Sequence, residues 1–308
     1  MPLVELNMTS PRFDSVSNQH PLANKRVIIT GANSGLGLET AKAMAAIGAH
    51  VVMAVRNLDA GIARAKEIES ENPKAKVEVS LLNLASQDSV RAFAKSQQDH
   101  TTHVLVNNAG IMAPPYALSA DGWESQMATN HLGHFTLTGL LLPSLLRADQ
   151  ARVVSLSSVM HRFGRFDTAD IDEISGAKNQ APANDPWRRY AATKLACLMF
   201  ARQLDLRAKA AGSNLISVAA HPGWAATNLA KDTDTKYMQF AQSAKDGARP
   251  QIAAASLPGL KGGEFFGPRL ELWGDAIKIR GTKHSRDLAL AENLWASSSA
   301  LTGVDFSF

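Results

Sequence analysis

The stretch Lys25-Arg-Val-Ile-Ile-Thr-Gly-Ala-Asn-Ser-Gly-Leu-Gly37 decides how this chain is read. Val27–Ile29 is a short β-branched run that gives way to glycine, the pattern of a parallel strand covered on both faces. After Gly37, Leu38, Ala41, Met44 and Ala45 recur at helical spacing, and Gly48 stands where a helix C-cap belongs. Strand, glycine turn and helix in succession aim unpaired backbone N–H groups and the positive helix end at an anion. Gly31, Gly35 and Gly37 let a pyrophosphate approach more closely than any Cβ would allow. With a strand before and a helix after, nucleotide binding is favoured over a plain connecting turn. The spacing is Gly-x-x-x-Gly-x-Gly. It is neither the Gly-x-Gly-x-x-Gly of the usual dinucleotide fingerprint nor a P-loop, which ends in Gly-Lys-Ser/Thr.

Outward from this turn the chain alternates. Val51–Val55, Lys76–Leu82, Val104–Val106, Arg152–Leu156 and Leu215–Ala219 read as further strands. Helical patterns lie between them at Asp59–Glu71, Ser86–Gln98, about Ala120–Leu146 and Trp187–Ala211. Such alternation predicts an α/β fold, one doubly wound parallel sheet with helices on both faces. Residues 1–24, rich in proline and polar side chains, read as an N-terminal extension, and 25–308 as a single Rossmann-type domain.

The 308 residues carry a formal net charge of +4 on scattered Lys and Arg, with no basic stripe to suggest nucleic acid. Cys197 is the sole cysteine, which excludes an internal disulfide and a multi-cysteine zinc site. The N-terminus lacks the pattern of a secretory signal, and no apolar run reaches about 20 residues. The expectation is a cytoplasmic protein without a membrane anchor.

Ligands of doubly wound sheets lie beyond the carboxyl ends of the strands. After the second strand, Val55 takes the place of the acid that binds the ribose hydroxyls of NAD, and Arg56 follows. A guanidinium grips the 2′-phosphate of NADP where a carboxylate would repel it, so NADP is expected over NAD. Asn83-Leu84 follows the third strand, Asn107-Asn-Ala-Gly110 the fourth and Ser157-Ser158 the fifth. Tyr190-Ala-Ala-Thr-Lys194 places a phenol and an ammonium on one helical face. A phenol with a pKa of about 10 is a poor base at neutral pH, and a cation within about 4–6 Å favours its ionised form.

Together, these features resemble the short-chain dehydrogenase/reductase family over about Asn24 to Phe266. The nearer likeness is to the branch holding retinol dehydrogenases and the oxidoreductase domain of WW-domain-containing oxidoreductases. It rests on Thr30-Gly-Ala-Asn-Ser-Gly-Leu-Gly37, Ala54-Val-Arg-Asn57, Asn130-His-Leu-Gly-His-Phe135, His161-Arg-Phe163 and His221-Pro-Gly-Trp224, with Phe265-Phe-Gly-Pro268 a looser match. The resemblance implies a catalytic tetrad of Asn130, Ser158, Tyr190 and Lys194. Tyr190 would exchange the proton, Ser158 hold the substrate oxygen, Lys194 contact the nicotinamide ribose, and Asn130 hold a water linking Lys194 to solvent. It further implies cofactor contacts from Gly31, Asn33, Ser34, Gly35, Leu36, Gly37, Asn83, Leu84, Asn108, Ala109, Gly110, Pro222, Gly223 and Thr227. Asn83 departs from the usual Asp, keeping an acceptor oxygen without the charge.

The implied reaction is hydride transfer between a nicotinamide and the carbonyl or alcohol carbon of an apolar alcohol, aldehyde or ketone. Met160, Phe163, Phe166, Ile171 and Ile174 are expected to shape the substrate pocket. A segment at about 222–250, with Leu229, Tyr237, Met238 and Phe240, reads as a lid. His131, His134, His221 and Cys197 read as packing, and no metal is expected. A homo-oligomer through the long helices is compatible with the family. Two readings compete: reduction of a C=C bond on the same fold, and a non-catalytic NADP-binding sensor or scaffold. The second sits poorly with a chain that keeps both Tyr190 and Lys194.

Overall fold

The computed structural model describes residues 20–176, 185–226 and 241–308. Their centre is an eight-stranded sheet ordered β3-β2-β1-β4-β5-β6-β7-β8. The strands are β1 (Arg26–Thr30), β2 (His50–Val55), β3 (Lys76–Leu81), β4 (Val104–Asn107), β5 (Arg152–Leu156), β6 (Ile216–Ala220), β7 (Phe265–Pro268) and β8 (Ala276–Ile279). β1 to β7 pair in parallel, with Val27 opposite Val51 on one side and Val104 on the other. β8 runs antiparallel to β7, which departs from the all-parallel sheet expected.

The central runs are apolar throughout because successive side chains serve opposite layers. Val27 and Ile29 join Val51, Met53 and Val106 in one core, while Ile28 joins Val52 and Leu105 in another. The first layer is closed by α1 (Gly35–Ala46), α2 (Leu58–Glu71) and α9 (Ala244–Ser256). The second is closed by α3 (Gln87–Gln97), α5 (Gly133–Leu140), α8 (Pro186–Ala210) and α10 (Leu288–Thr302). Two short helices, α6 (Leu142–Leu146) and α7 (Ile171–Ser175), complete that side. No helix among the described residues is long and apolar enough to cross a membrane.

Local chemistry fixes the helix starts. Asn57, Ser86, Asp185, Ser243 and Asp287 each accept a backbone N–H from the first turn that follows. Asp287 accepts from Leu290 N at 3.1 Å. Asp287→Ala is expected to lower the unfolding free energy by about 1 kcal/mol, read as a drop in the urea midpoint at constant m-value.

The expected helix over about 120–146 is broken. α4 (Ser125–Met127) runs into a π-turn over Ala128–Leu132, then into α5, and α6 begins only after Leu141. The π-turn is marked by an i to i+5 bond from Gly133 N to Ala128 O. Gly133 lies against the loop after β3, where a Cβ would press on the Leu84 carbonyl. Pro143 in the first turn of α6 explains the second break, since its ring cannot continue the preceding helix.

Candidate active site

The carboxyl ends of the strands open on a cavity of about 650 Å³. It lies at the switch point between β1 and β4, where the strand order reverses. Thr30 and the glycine turn form its floor, followed by Ala54 near the end of β2 and Arg56 just beyond it, Asn83 and Leu84 beyond β3, and Asn108 to Gly110 beyond β4. Ser157 and Ser158 enter from β5, Tyr190 and Lys194 from α8, and Pro222 and Gly223 from the end of β6.

The turn is built for close approach. Gly31 has φ +67, and a Cβ on Gly37 would press on the Gly31 carbonyl and stand 2.5 Å from Asn108 Nδ2. Ser34 occupies the N-cap of α1 without a side-chain hydrogen bond, and no acid lies in the first turn. The positive end of α1 is therefore left to whatever anion fills the cavity, unlike the side-chain-capped starts of α2, α3 and α8. These features fit the diphosphate of a dinucleotide.

Asn33, Ser34, Gly35 and Leu36 line the same floor. Asn108 holds the floor in place: its Nδ2 donates to Thr30 O at 2.7 Å and its Oδ1 accepts from Gln251 Nε2 at 3.2 Å. Asn83 Oδ1 accepts from Ala85 N at 3.2 Å. Arg56 is exposed, and it pairs with no carboxylate among the described residues.

On the opposite wall, Tyr190 is 7% and Lys194 4% exposed. Lys194 Nζ lies 5.6 Å from the Tyr190 ring centroid and donates to Leu156 O at 3.2 Å. The two serines divide their work. Ser157 Oγ gives its hydrogen to Lys194 O at 2.7 Å, which ties β5 to α8. Ser158 Oγ accepts from Met160 N at 3.2 Å, capping the 3-10 turn Val159–Arg162, and its own hydrogen remains for a ligand.

Asn130 stands behind the wall, 1% exposed, in the π-turn. Its Oδ1 accepts from Ile111 N at 2.8 Å, and its Nδ2 donates to Ile111 O and Thr193 Oγ1, each at 3.0 Å. Its backbone carbonyl accepts from His134 Nδ1 at 3.0 Å and Cys197 Sγ at 3.2 Å. A water shared with Lys194 therefore has Oδ1, with one donor, as the remaining acceptor on this residue. A Cβ on Gly110 would sit 3.1 Å from Asn130 Oδ1 and 3.4 Å from Lys194 Nζ, so glycine keeps the passage between them open.

Thr227 lies outside the described residues, as do Leu229, Tyr237, Met238 and Phe240 of the expected lid. The segment's two ends meet: Ala226 N donates to Gln242 O at 2.8 Å, and Gln242 N to Trp224 O at 2.9 Å.

The expected substrate wall needs correction. Of its five residues only Met160 lines the cavity. Phe163 is 68% and Ile171 47% exposed, and Phe166 and Ile174 are buried in a separate core beneath α10. The apolar end is made instead with Met112, Trp187, Trp224 and Leu272. Trp187 was findable, because it precedes Tyr190 by three residues and so shares its helical face. Leu272 arrives on the β7–β8 turn and has no sequence signal.

His131, His134 and His221 are buried and neutral. Burial pushes His131 and His221 down to about 3 and His134 to about 4. No metal-binding group of three His, Cys, Asp or Glu exists among the described residues.

A Rossmann-type sheet with this glycine turn, serine strand end and Tyr-x-x-x-Lys helix defines a nicotinamide-dependent oxidoreductase. Residues 25–169 match the family model for short chain dehydrogenases, and the chain belongs to that family, in its retinol-dehydrogenase-like branch. It is a dehydrogenase acting on an alcohol or carbonyl group with a nicotinamide cofactor. Among its relatives, retinol dehydrogenase 12 of Bos taurus is 36% identical over 92% of this chain and 88% of its own length. The human WW domain-containing oxidoreductase is 34% identical over 90% of this chain and 68% of its own. The crystal structure of an uncharacterized protein from Mycobacterium paratuberculosis is 40% identical, with a TM-score of 0.79 over 94% of this chain and 98% of that one. A Shigella flexneri short chain dehydrogenase complexed with NADP, 23% identical with a TM-score of 0.64 over 80% of this chain and 98% of that one, shares the fold.

Proposed function

We propose that this protein transfers a hydride between NADP(H) and the carbonyl or alcohol carbon of an apolar small molecule, with Asn130, Ser158, Tyr190 and Lys194 as its catalytic set. The observation that carries this reading is that Ser158, Tyr190 and Lys194 line the same cavity as the glycine turn and Arg56. The cofactor supplies hydride chemistry at its nicotinamide carbon. The protein's part is to orient and to move a proton. Gly31 to Gly37 and the open end of α1 hold the diphosphate, and Lys194 the ribose. Asn83, Leu84, Asn108, Ala109 and Gly110, which line the same cavity, would contact the remainder of the cofactor. Pro222 and Gly223 would take its nicotinamide end, and the family resemblance gives Thr227 a bond to the carboxamide there. Ser158 donates its free hydrogen to the substrate oxygen. Tyr190 gives the proton in reduction and takes it back in oxidation.

NADP is favoured over NAD because the β2 end offers Val55 and Arg56 in place of an acid, and Arg56 is uncommitted to any described carboxylate. Arg56→Ala is expected to raise the KM for NADPH by about tenfold or more, in line with loss of a charge-assisted hydrogen bond, and to leave NADH little changed. Steady-state kinetics with both cofactors checks this, and equal effects on the two would overturn the assignment. The apolar end formed by Met112, Met160, Trp187 and Trp224 supports an apolar substrate. So does the name of the 36% identical relative, which identifies a retinol, an apolar alcohol. NADPH consumption over parallel panels of carbonyl and alkene compounds tests the reaction type; turnover confined to alkenes would replace it.

A further inference from the structure

His134 is one of the buried histidines that the proposed chemistry leaves without a role. His134 is 4% exposed and touches two parts of the site at once. Thr30 Oγ1 accepts from Asn108 N and from Ala109 N, each at 2.9 Å. A hydroxyl oxygen has two lone pairs and one hydrogen, so Thr30 has only its hydrogen left to give. Two acceptors are in range, Val106 O at 3.4 Å and His134 Nε2 at 2.9 Å. The nearer one takes it. His134 Nε2 is therefore the bare nitrogen, and the ring's hydrogen is on Nδ1, which donates to Asn130 O at 3.0 Å. A depressed pKa, about 4 through burial, keeps the ring in this neutral form.

His134 thus joins two pieces that the sheet does not connect directly. One is the β1 end, whose hydroxyl organises the Asn108–Ala109 turn under the cofactor. The other is the π-turn, whose Asn130 side chain grips both backbone groups of Ile111 in the cavity wall. A phenylalanine would fill the same volume, so packing alone does not call for these two hydrogen bonds. Of the two arms, the one to Asn130 matters more for reactivity. Thr30 keeps its bonds to Asn108 and Ala109 without the ring, whereas the arm to Asn130 acts on the π-turn itself, whose Asn130 side chain holds Ile111.

We propose that His134 is a positioning residue for hydride transfer: its neutral ring, held by the Thr30 hydroxyl, donates from Nδ1 to the Asn130 carbonyl and fixes the π-turn against the cofactor floor. The proposal rests on the functional reading given above.

Three substitutions separate the arms. Asn at 134 places an amide N–H where Nδ1 stands and keeps the bond to Asn130. Gln reaches the Nε2 position and keeps the bond to Thr30, and Phe keeps neither. His134→Phe and His134→Gln are expected to lower kcat by about 10²-fold, and His134→Asn by no more than about fivefold, the scale of a small misplacement near reacting groups. The dissociation constant for NADPH, read by fluorescence titration, should stay near wild type in all three. Activity is followed with NADPH and whichever aldehyde in an apolar panel the wild type reduces fastest.

Equal kcat for the Asn and Gln variants, or kcat that follows melting temperature across the set, would overturn the proposal. If the Phe variant does not fold, the Asn–Gln comparison still decides. Long-range ¹H–¹⁵N spectra of the wild type give a readout independent of turnover: His134 should show a protonated Nδ1 and a bare Nε2, and the reverse tautomer would sink the idea. Wild-type turnover that survives Tyr190→Phe would defeat the functional reading, whereas Tyr190-dependent turnover without the Asn–Gln split would defeat this inference alone.

Discussion

Tyr190→Phe is expected to reduce kcat by about 10²–10⁴-fold, the usual worth of a positioned acid–base group, with NADPH affinity unchanged. The substitution removes one oxygen and leaves the ring where it is. That ring is held edge-on by Trp187, at 6.3 Å between centroids, and lies 5.6 Å from Lys194 Nζ. Its cavity wall therefore persists, and with it the cofactor's seat. Measurement of kcat beside a fluorescence titration of NADPH separates the two effects. A fall in affinity matching the fall in turnover would mean that the phenol is there to bind, and unaltered turnover would remove it from the chemistry.

Gly37→Ala should act on the other half of the problem. The added Cβ would press on the Gly31 carbonyl and approach Asn108 Nδ2 to 2.5 Å. Neither neighbour yields easily. Gly31 already occupies the left-handed region at φ +67, and Asn108 is tied at both ends of its amide to Thr30 and Gln251. Overpacking of this kind costs about 1–3 kcal/mol, and carried fully into cofactor binding that is roughly 5–150-fold in the Kd for NADPH. Turnover at saturating cofactor should recover much of its wild-type value, because Tyr190 and Ser158 lie on the far wall. Titration of the purified variant, with a melting curve to show that it folds, gives the answer; wild-type affinity would mean that the turn relaxes around the methyl.

Both predictions concern residues whose types and spacing marked them in the sequence. The first six strands of the chain were legible for the same reason: Val27–Ile29 and Val51–Val55 are β-branched or apolar at every position, as burial between two helical layers requires. β7 and β8 were not legible as strands. Each is four residues long, one contains Gly267 and Pro268, and Lys278 interrupts the other. The π-turn was hidden because the apolar pattern from Trp123 to Leu137 continues through it. One residue gained within a helix shifts the face by less than the width of the buried stripe. The apolar end of the cavity was misjudged for another reason. Phe163 and Phe166 resemble each other in sequence, but one is exposed and the other buried away from the cavity, because the turn between them, not their chemistry, sets their direction.

The π-turn carries a consequence for how such a protein changes over generations. A single-codon deletion between Ala128 and Leu132 would give back an ordinary helix, and that helix would be the more regular one. Mutational drift toward a sturdier chain thus runs against keeping Asn130 aimed at Ile111. A lineage released from the need to catalyse would be expected to shed this extra residue early, while its glycine turn and its ability to hold a dinucleotide outlast it.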